Sequence, residues 1–203
     1  MALSAQDKIM YVANKLGLST LKDMQGSTGA VYDVDTDISG VLFSNASRHQ
    51  NPNITNLTQN EFEVNEALLI ETISFYAYQG NTFDVLNFQA AYGSDAVIVY
   101  DLIIGNKRVM KDTPVFAAGS PYTFANTGQK LVPGFTDPAS AFVPRHQTYL
   151  EGAGILIPPQ VQFYIDFRVF NVRTGAVITP TDQNLIGCYL FGTRVLLNFN
   201  TSI

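Results

Sequence analysis

The sequence predicts an all-β chain, an antiparallel sandwich entered through a short helical arm, and three observations carry that prediction. Three stretches alternate in polarity for longer than ordinary strands do: about Glu66 to Gln79, Ala96 to Ile104 and Val161 to Val172. In the last, Val161, Phe163, Ile165, Phe167 and Val169 fall on one face and Gln162, Tyr164, Asp166 and Arg168 on the other, because successive strand side chains point to opposite sides of a sheet. An unbroken strand of that length spans roughly 40 Å at about 3.3 Å per residue, against a usual five or six residues. No βαβ rhythm joins these stretches, which favours an antiparallel arrangement. Finally, Gly105-Asn106 sits between two alternating runs, a two-residue hairpin signal of the II′ kind.

Taken in order, residues 4 to 26 form the one helical region. Ser4 followed by Asp7 reads as a capping box; Ile9, Val12, Ala13 and Leu16 then recur at helical spacing, and Gly17 supplies a stop. A second short turn is expected from Thr20 to Met24. This arm (residues 1–28) is expected to pack on its own domain, a β-sandwich over 29–203. Its candidate strands are Ala30 to Val34, Ile38 to Phe43, Glu61 to Val64 running into Ala67 to Tyr78, Phe83 to Gln89, Ala96 to Ile104, and the return strand Lys107 to Lys111. Val115 to Ala117, Tyr149 to Ile157, Val161 to Val172, Ala176 to Ile178 and Leu185 to Phe199, broken near Gly192, complete the set. Pro158-Pro159 marks a corner, since proline cannot lie inside a central ladder. Two long connections, the Asn-rich Ser44 to Asn60 and the Gly- and Pro-rich Ala118 to His146, are long enough to be functional or interface loops. Eight to ten strands with such connections favour a single jelly roll, two sheets joined by Greek keys.

Composition bears on partners. Charged residues make up 14% of the 203, against roughly 25% in a typical soluble domain. With ten Tyr and fourteen Phe, this points to a surface covered by other subunits, because interface centres are rich in aromatics and poor in charge; a neutral monomer is the plainer alternative. A net charge of −5, with Lys8, Lys15 and Lys22 scattered and Lys107-Arg108 the one adjacent basic pair, argues against binding nucleic acid by electrostatics. The single Cys188 lies in an apolar run and reads as a buried small hydrophobe. No stretch reaches membrane-span length, and the N-terminus lacks the apolar core of a signal peptide, so synthesis in a cytoplasm is expected.

Candidate chemistry is sparse. Asp33, Asp35 and Asp37 alternate, and three carboxylates on one strand face could hold calcium. The EF-hand pattern fails at Ile38 and Ser44, so an exposed strand edge whose charges discourage stray pairing is the preferred account. His49 and His146 follow Arg48 and Arg145 in the long loops and lack metal-ligand spacing; they read as surface or interface residues. Glu61, Glu63, Glu66 and Glu71 would matter as an acid pair only across a cleft. Asn45, Asn53, Asn56 and Asn200 open N-x-[ST] triplets that follow from an Asn- and Thr-rich composition. No catalytic, cofactor-binding or metal-binding residue is assigned, and an enzyme is not expected.

The arm, the block G-I-L-I-P-P-Q-V-Q-F-Y-I-D-F-R-V (Gly154 to Val169) and the closing L-I-G-C-Y-L-F-G-T-R-V (Leu185 to Val195) resemble viral jelly-roll capsid proteins, nearest to those of tailless icosahedral bacteriophages. The resemblance covers most of residues 29 to 199 and is one of order and texture. It implies a structural virion protein that self-assembles into an icosahedral shell, made in the host cytoplasm and located in the virion, with copies of itself and other capsid proteins as partners. The arm departs from the basic genome-binding arm of many small capsid proteins. The inner face would then meet an internal membrane or minor virion proteins rather than nucleic acid. A carbohydrate- or receptor-binding sandwich, such as a spike or fibre head using Tyr92, Tyr122 and Tyr149, is the alternative.

Overall fold

The computed structural model describes residues 4–18, 24–45, 48, 51–79, 84–86, 92, 95–115, 146–150, 154–181 and 183–197. Among them run the helix α1 (Ala5–Leu16) and the strands β1 (Gln25–Val34), β2 (Val41–Leu42), β3 (Glu66–Gln79), β4 (Asp84–Leu86), β5 (Ala96–Ile104), β6 (Lys107–Val115), β7 (His146–Tyr149), β8 (Ile155–Ile157), β9 (Phe163–Asn171), β10 (Val177–Ile178) and β11 (Leu185–Leu196). They build two antiparallel sheets, as the alternation requires. The first runs β1-β11-β3, and the far edge of β3 is shared by β8, β7 and β4 in succession. The second runs β10-β9-β5-β6, with β2 also on β9.

The three long alternating stretches are the central strands β3, β5 and β9. Phe163, Ile165, Phe167 and Val169 of β9 are buried while Gln162, Asp166 and Arg168 are exposed. Their inner faces meet Leu68, Ile70, Ile73 and Phe75 of β3 and Ile98, Tyr100 and Leu102 of β5 in one core between the sheets. The Phe75 ring lies 5.0 Å from Tyr100 and 6.4 Å from Phe167, centroid to centroid. Each fully buried ring of this kind contributes about 1.5–3 kcal/mol relative to an exposed one.

β3 changes phase halfway along. Leu68 and Ile70 face the core, as do Ile73, Phe75 and Ala77; the two sets have opposite parity. The register explains this: Ile70 pairs with Gly192 and Thr72 with Phe191, so Glu71 is the extra residue of a β-bulge. The break expected near Gly192 is the partner side of this bulge. Gly192 is required there, because a Cβ would overlap the Leu69 carbonyl oxygen.

The helix is as its sequence predicts. The Ser4 hydroxyl accepts from the Asp7 amide, Asp7 accepts in return from the Ser4 amide, and Gly17 ends the helix at φ 70°. Val12 and its neighbours Tyr11 and Leu16 lie on Ala67, Leu69 and Val195, the outer face of the first sheet, so the arm does pack on its own domain. The bulge anchors it: Lys8 Nζ donates to both Glu71 carboxylate oxygens at 2.8 Å, and Thr193 Oγ1 donates to the same carboxylate.

Several strand expectations are corrected. Ile38 to Phe43 shrinks to Val41–Leu42, because Ile38 (φ 56°), Gly40 (φ 75°) and Phe43 (φ 68°) are left-handed and cannot continue a ladder. Glu61 to Val64 is not strand. Tyr149 to Ile157 is two strands on one edge, β7 and β8, rather than one. The return strand continues through Lys111 to Val115 across irregular pairing with β5, and β1 begins at Gln25 because its ladder with β11 extends that far. The hairpin behaves as expected: Gly105 has φ 58° and joins Ile104 to Lys107. Pro158-Pro159 forms the corner before β9. All but Met24 of the turn expected from Thr20 to Met24, the ends of Phe83 to Gln89 and most of Ala118 to His146 lie outside the described residues.

Candidate functional site

The most concentrated array of charge is the acidic triplet, and its setting overturns the exposed-edge expectation. Only Asp33 belongs to a strand; Asp35 and Asp37 lie in the turn that follows, and Asp33 and Asp35 are each 1% exposed. What draws them inward is Arg48, itself buried, returning from the Asn-rich connection. Its Nη1 donates to Asp33 Oδ2 at 2.8 Å and to the Val34 carbonyl at 3.2 Å. Its Nη2 donates to Asp35 Oδ1 (3.1 Å), Asp37 Oδ1 (2.5 Å), Ser39 Oγ (3.2 Å) and the Val41 carbonyl (2.8 Å). The centre that a cation would occupy is filled by a guanidinium.

The carboxylates in turn organise the chain. Asp35 accepts from the Ser39 amide and the Gly40 amide, closing the turn. Asp33 accepts from the Phe43 amide at 2.6 Å, which holds Phe43 in its left-handed conformation, costly for a residue with a Cβ, with its ring 5.6 Å from Phe163. Asp33 Oδ1 and Arg48 Nε are buried without a partner. Burial pushes Asp33 up to about 6, against the pull of Arg48 and the Phe43 and Val34 amides, with Asp35 adding to the rise. Burial also raises Asp35, while for Asp37 burial is outweighed by hydrogen bonding from Asp35 and by Arg48, which lower it. This is a clamp between the β1–β2 connection and the next loop. Among the described residues, no group of three or more His, Cys, Asp or Glu side chains is disposed to hold a metal ion.

Three of the four glutamates do converge. Glu61, Glu63 and Glu66 line an open recess of about 190 Å³ with Arg194, Phe62 and Val31, and Arg194 is ion-paired to Glu66. Glu71 sits apart beneath α1; partial burial works against its ionisation, but Lys8 and Thr193 outweigh it and hold it below its ordinary value.

The Asn-rich connection also covers an edge. The Asn56 side chain accepts from the Tyr32 amide and donates to the Ala30 carbonyl, and Thr55 Oγ1 donates to the Tyr32 carbonyl. Asn56, read from the sequence only as a triplet, thus mimics a strand along part of β1. Asn45 donates to Asp37, Asn53 is in an exposed turn, and Asn200 lies outside the described residues.

Of the candidate binding aromatics, Tyr92 is part-buried and donates to the Asn184 carbonyl, and burial together with Asp35 raises its hydroxyl. Tyr149 belongs to β7, while Tyr122 lies outside the described residues. His146 opens β7, and His49 and Arg145 lie outside the described residues. Cys188 is fully buried in the core, as expected, and burial with the nearby Asp33 raises its thiol. Arg108 pairs with Asp101 at 3.2 Å. No helix among the described residues is long and apolar enough to cross a membrane. No protein-family model, curated protein or solved structure matches this chain.

Proposed function

We propose that the chain is a single jelly roll serving as a structural virion protein, a capsid or capsid-associated subunit that works by self-assembly. The observation that carries this reading is the nesting of its strand pairs. β1 pairs with β11, β2 with β9, β3 with β7 and β8, and β5 with β6: first with last, inward to the hairpin at Gly105. A long antiparallel hairpin rolled across two sheets produces this order, and jelly rolls of this kind recur in viral shells. Fold alone does not assign function, so the surface must support the reading too. Phe191 is 47% exposed, and Val64, Val172 and Val177 are each above 60%, on a chain with 14% charged residues. Such apolar surface is what burial between copies would cover.

In this role the outer aromatic and aliphatic groups provide association energy and the polar loops fix register. The Arg48 clamp and the Asn56 edge contacts keep those loops in one shape, lowering the ordering cost at contact. Negative-stain microscopy of the purified protein tests the reading: rings, capsomer-like clusters or shells are expected. A field of single small particles at every concentration would count against it.

A further inference from the structure

Among the described residues, half of the β1 edge is blocked and half is not. In the ladder with β11, Tyr32 and Ala30 turn their main-chain groups away from β11, where Asn56 and Thr55 receive them. Pairing continues without irregularity through Thr28↔Thr193 and Gly26↔Val195. In an antiparallel ladder every second residue turns outward, so Thr28 and Gly26 present N–H and C=O groups to the same edge. Among the described residues nothing meets them. Thr28 is exposed, and Gln25 to Gly29 carry no charge, proline or bulge, the devices that normally blunt an edge.

The acidic recess opens beside this segment. Val31 of β1 lines it, as does Arg194, which pairs across from Ser27. Arg194 is engaged by Glu66, while Glu61 and Glu63 have no ion pair among the described residues. A strand added to β1 directs alternate side chains to the recess side, toward these two carboxylates.

We infer that the Gln25–Gly29 edge of β1 is a strand-addition site for an extended peptide segment of a partner, one that carries a lysine or arginine into the Glu61/Glu63 recess. Main-chain bonding to Thr28 and Gly26 supplies affinity, and the basic side chain supplies selectivity. Asn56 ends the site at Ala30, so the docked segment is short. The inference stands apart from the shell reading, because it names a basic partner rather than a second copy.

The probe is a fluorescein-labelled peptide of alternating lysine and threonine, titrated by anisotropy into the full chain. Saturable binding is expected. It should weaken at least about ten-fold for the same peptide with glutamate in place of lysine, for the peptide N-methylated at alternate amides, and for the E61Q/E63Q variant. Thr28→Pro should abolish it while leaving the β11 ladder intact, since an outward edge position tolerates proline. If that variant does not fold, the N-methylated peptide on the parent protein gives the same reading. Absence of saturation, or binding indifferent to N-methylation and to E61Q/E63Q, overturns the inference. So does a concentration-dependent dimer that Thr28→Pro dissolves, because a second copy would then hold the edge.

Discussion

At the residue scale the molecule turns on Arg48. A buried ion pair adds little net stability compared with an apolar pair, but removing one partner leaves its counter-charges stranded. Arg48→Met should therefore cost about 3–5 kcal/mol, read by urea denaturation, with Asp33 and Asp35 left buried and unneutralised; a loss below about 1 kcal/mol, typical of an exposed pair, would contradict the clamp. The pH dependence has a definite sign. Asp33 is raised to about 6 from 3.8, so the folded state holds its proton more tightly than the unfolded chain does. Its contribution is full below about 3.8 and is lost as pH rises through 6. Asp37 and Glu71, lowered from 3.8 and 4.5, act oppositely, their contributions being lost as pH falls below those values. Between about pH 5 and 6, above the range where Glu71 titrates, the parent should lose stability with rising pH, and Asp33→Asn should flatten that slope, with Asp35, also raised, retaining part of it. An identical slope in parent and variant would show that Asp33 titrates normally. The clamp was not legible in D-V-D-T-D, whose alternation mimics a strand. Burial here is imposed by an arginine from another loop, and no local pattern reports where that loop returns.

At the element scale, legibility followed the local physics. The helix was readable to its caps because Ser4, Asp7 and Gly17 interact within one turn of their own backbone. β5 was readable to the residue because it is a largely apolar run buried along nearly its whole length, and β9 nearly so because its burial alternates strictly. The errors cluster where a few left-handed residues break an apolar run, as at Ile38 and Phe43, or where partner strands share an edge, as β7 and β8 do on β3. The bulge lies between these cases: Gly192 signalled a break, but only the pairing shows that Glu71 is the inserted residue. Gly192→Ala should cost about 3 kcal/mol through forced displacement of the β3 backbone, and should loosen α1 through Glu71, Lys8 and Thr193. Thermal unfolding with hydrogen exchange of the helix amides checks both; an unchanged melting temperature would mean the ladder adjusts without strain.

At the scale of the whole molecule, two antiparallel sheets enclose one core, α1 covers part of one outer face, and strand edges are partly capped by loops. All-β architecture and the packed arm were legible because they rest on periodicity and composition. Strand count and long connections favoured a jelly roll, but which strands pair was not legible, since order in a sheet depends on which distant segments meet. Low charge and exposed Phe191, Val172 and Val177 support the proposal that the remaining apolar surface serves contacts between copies. Light scattering coupled to size-exclusion chromatography across a hundred-fold dilution series, a range spanning about 2.7 kcal/mol of association free energy, tests it most directly. The account predicts a mass that is a multiple of the 22.3 kDa chain and falls on dilution; a constant 22.3 kDa throughout would contradict it.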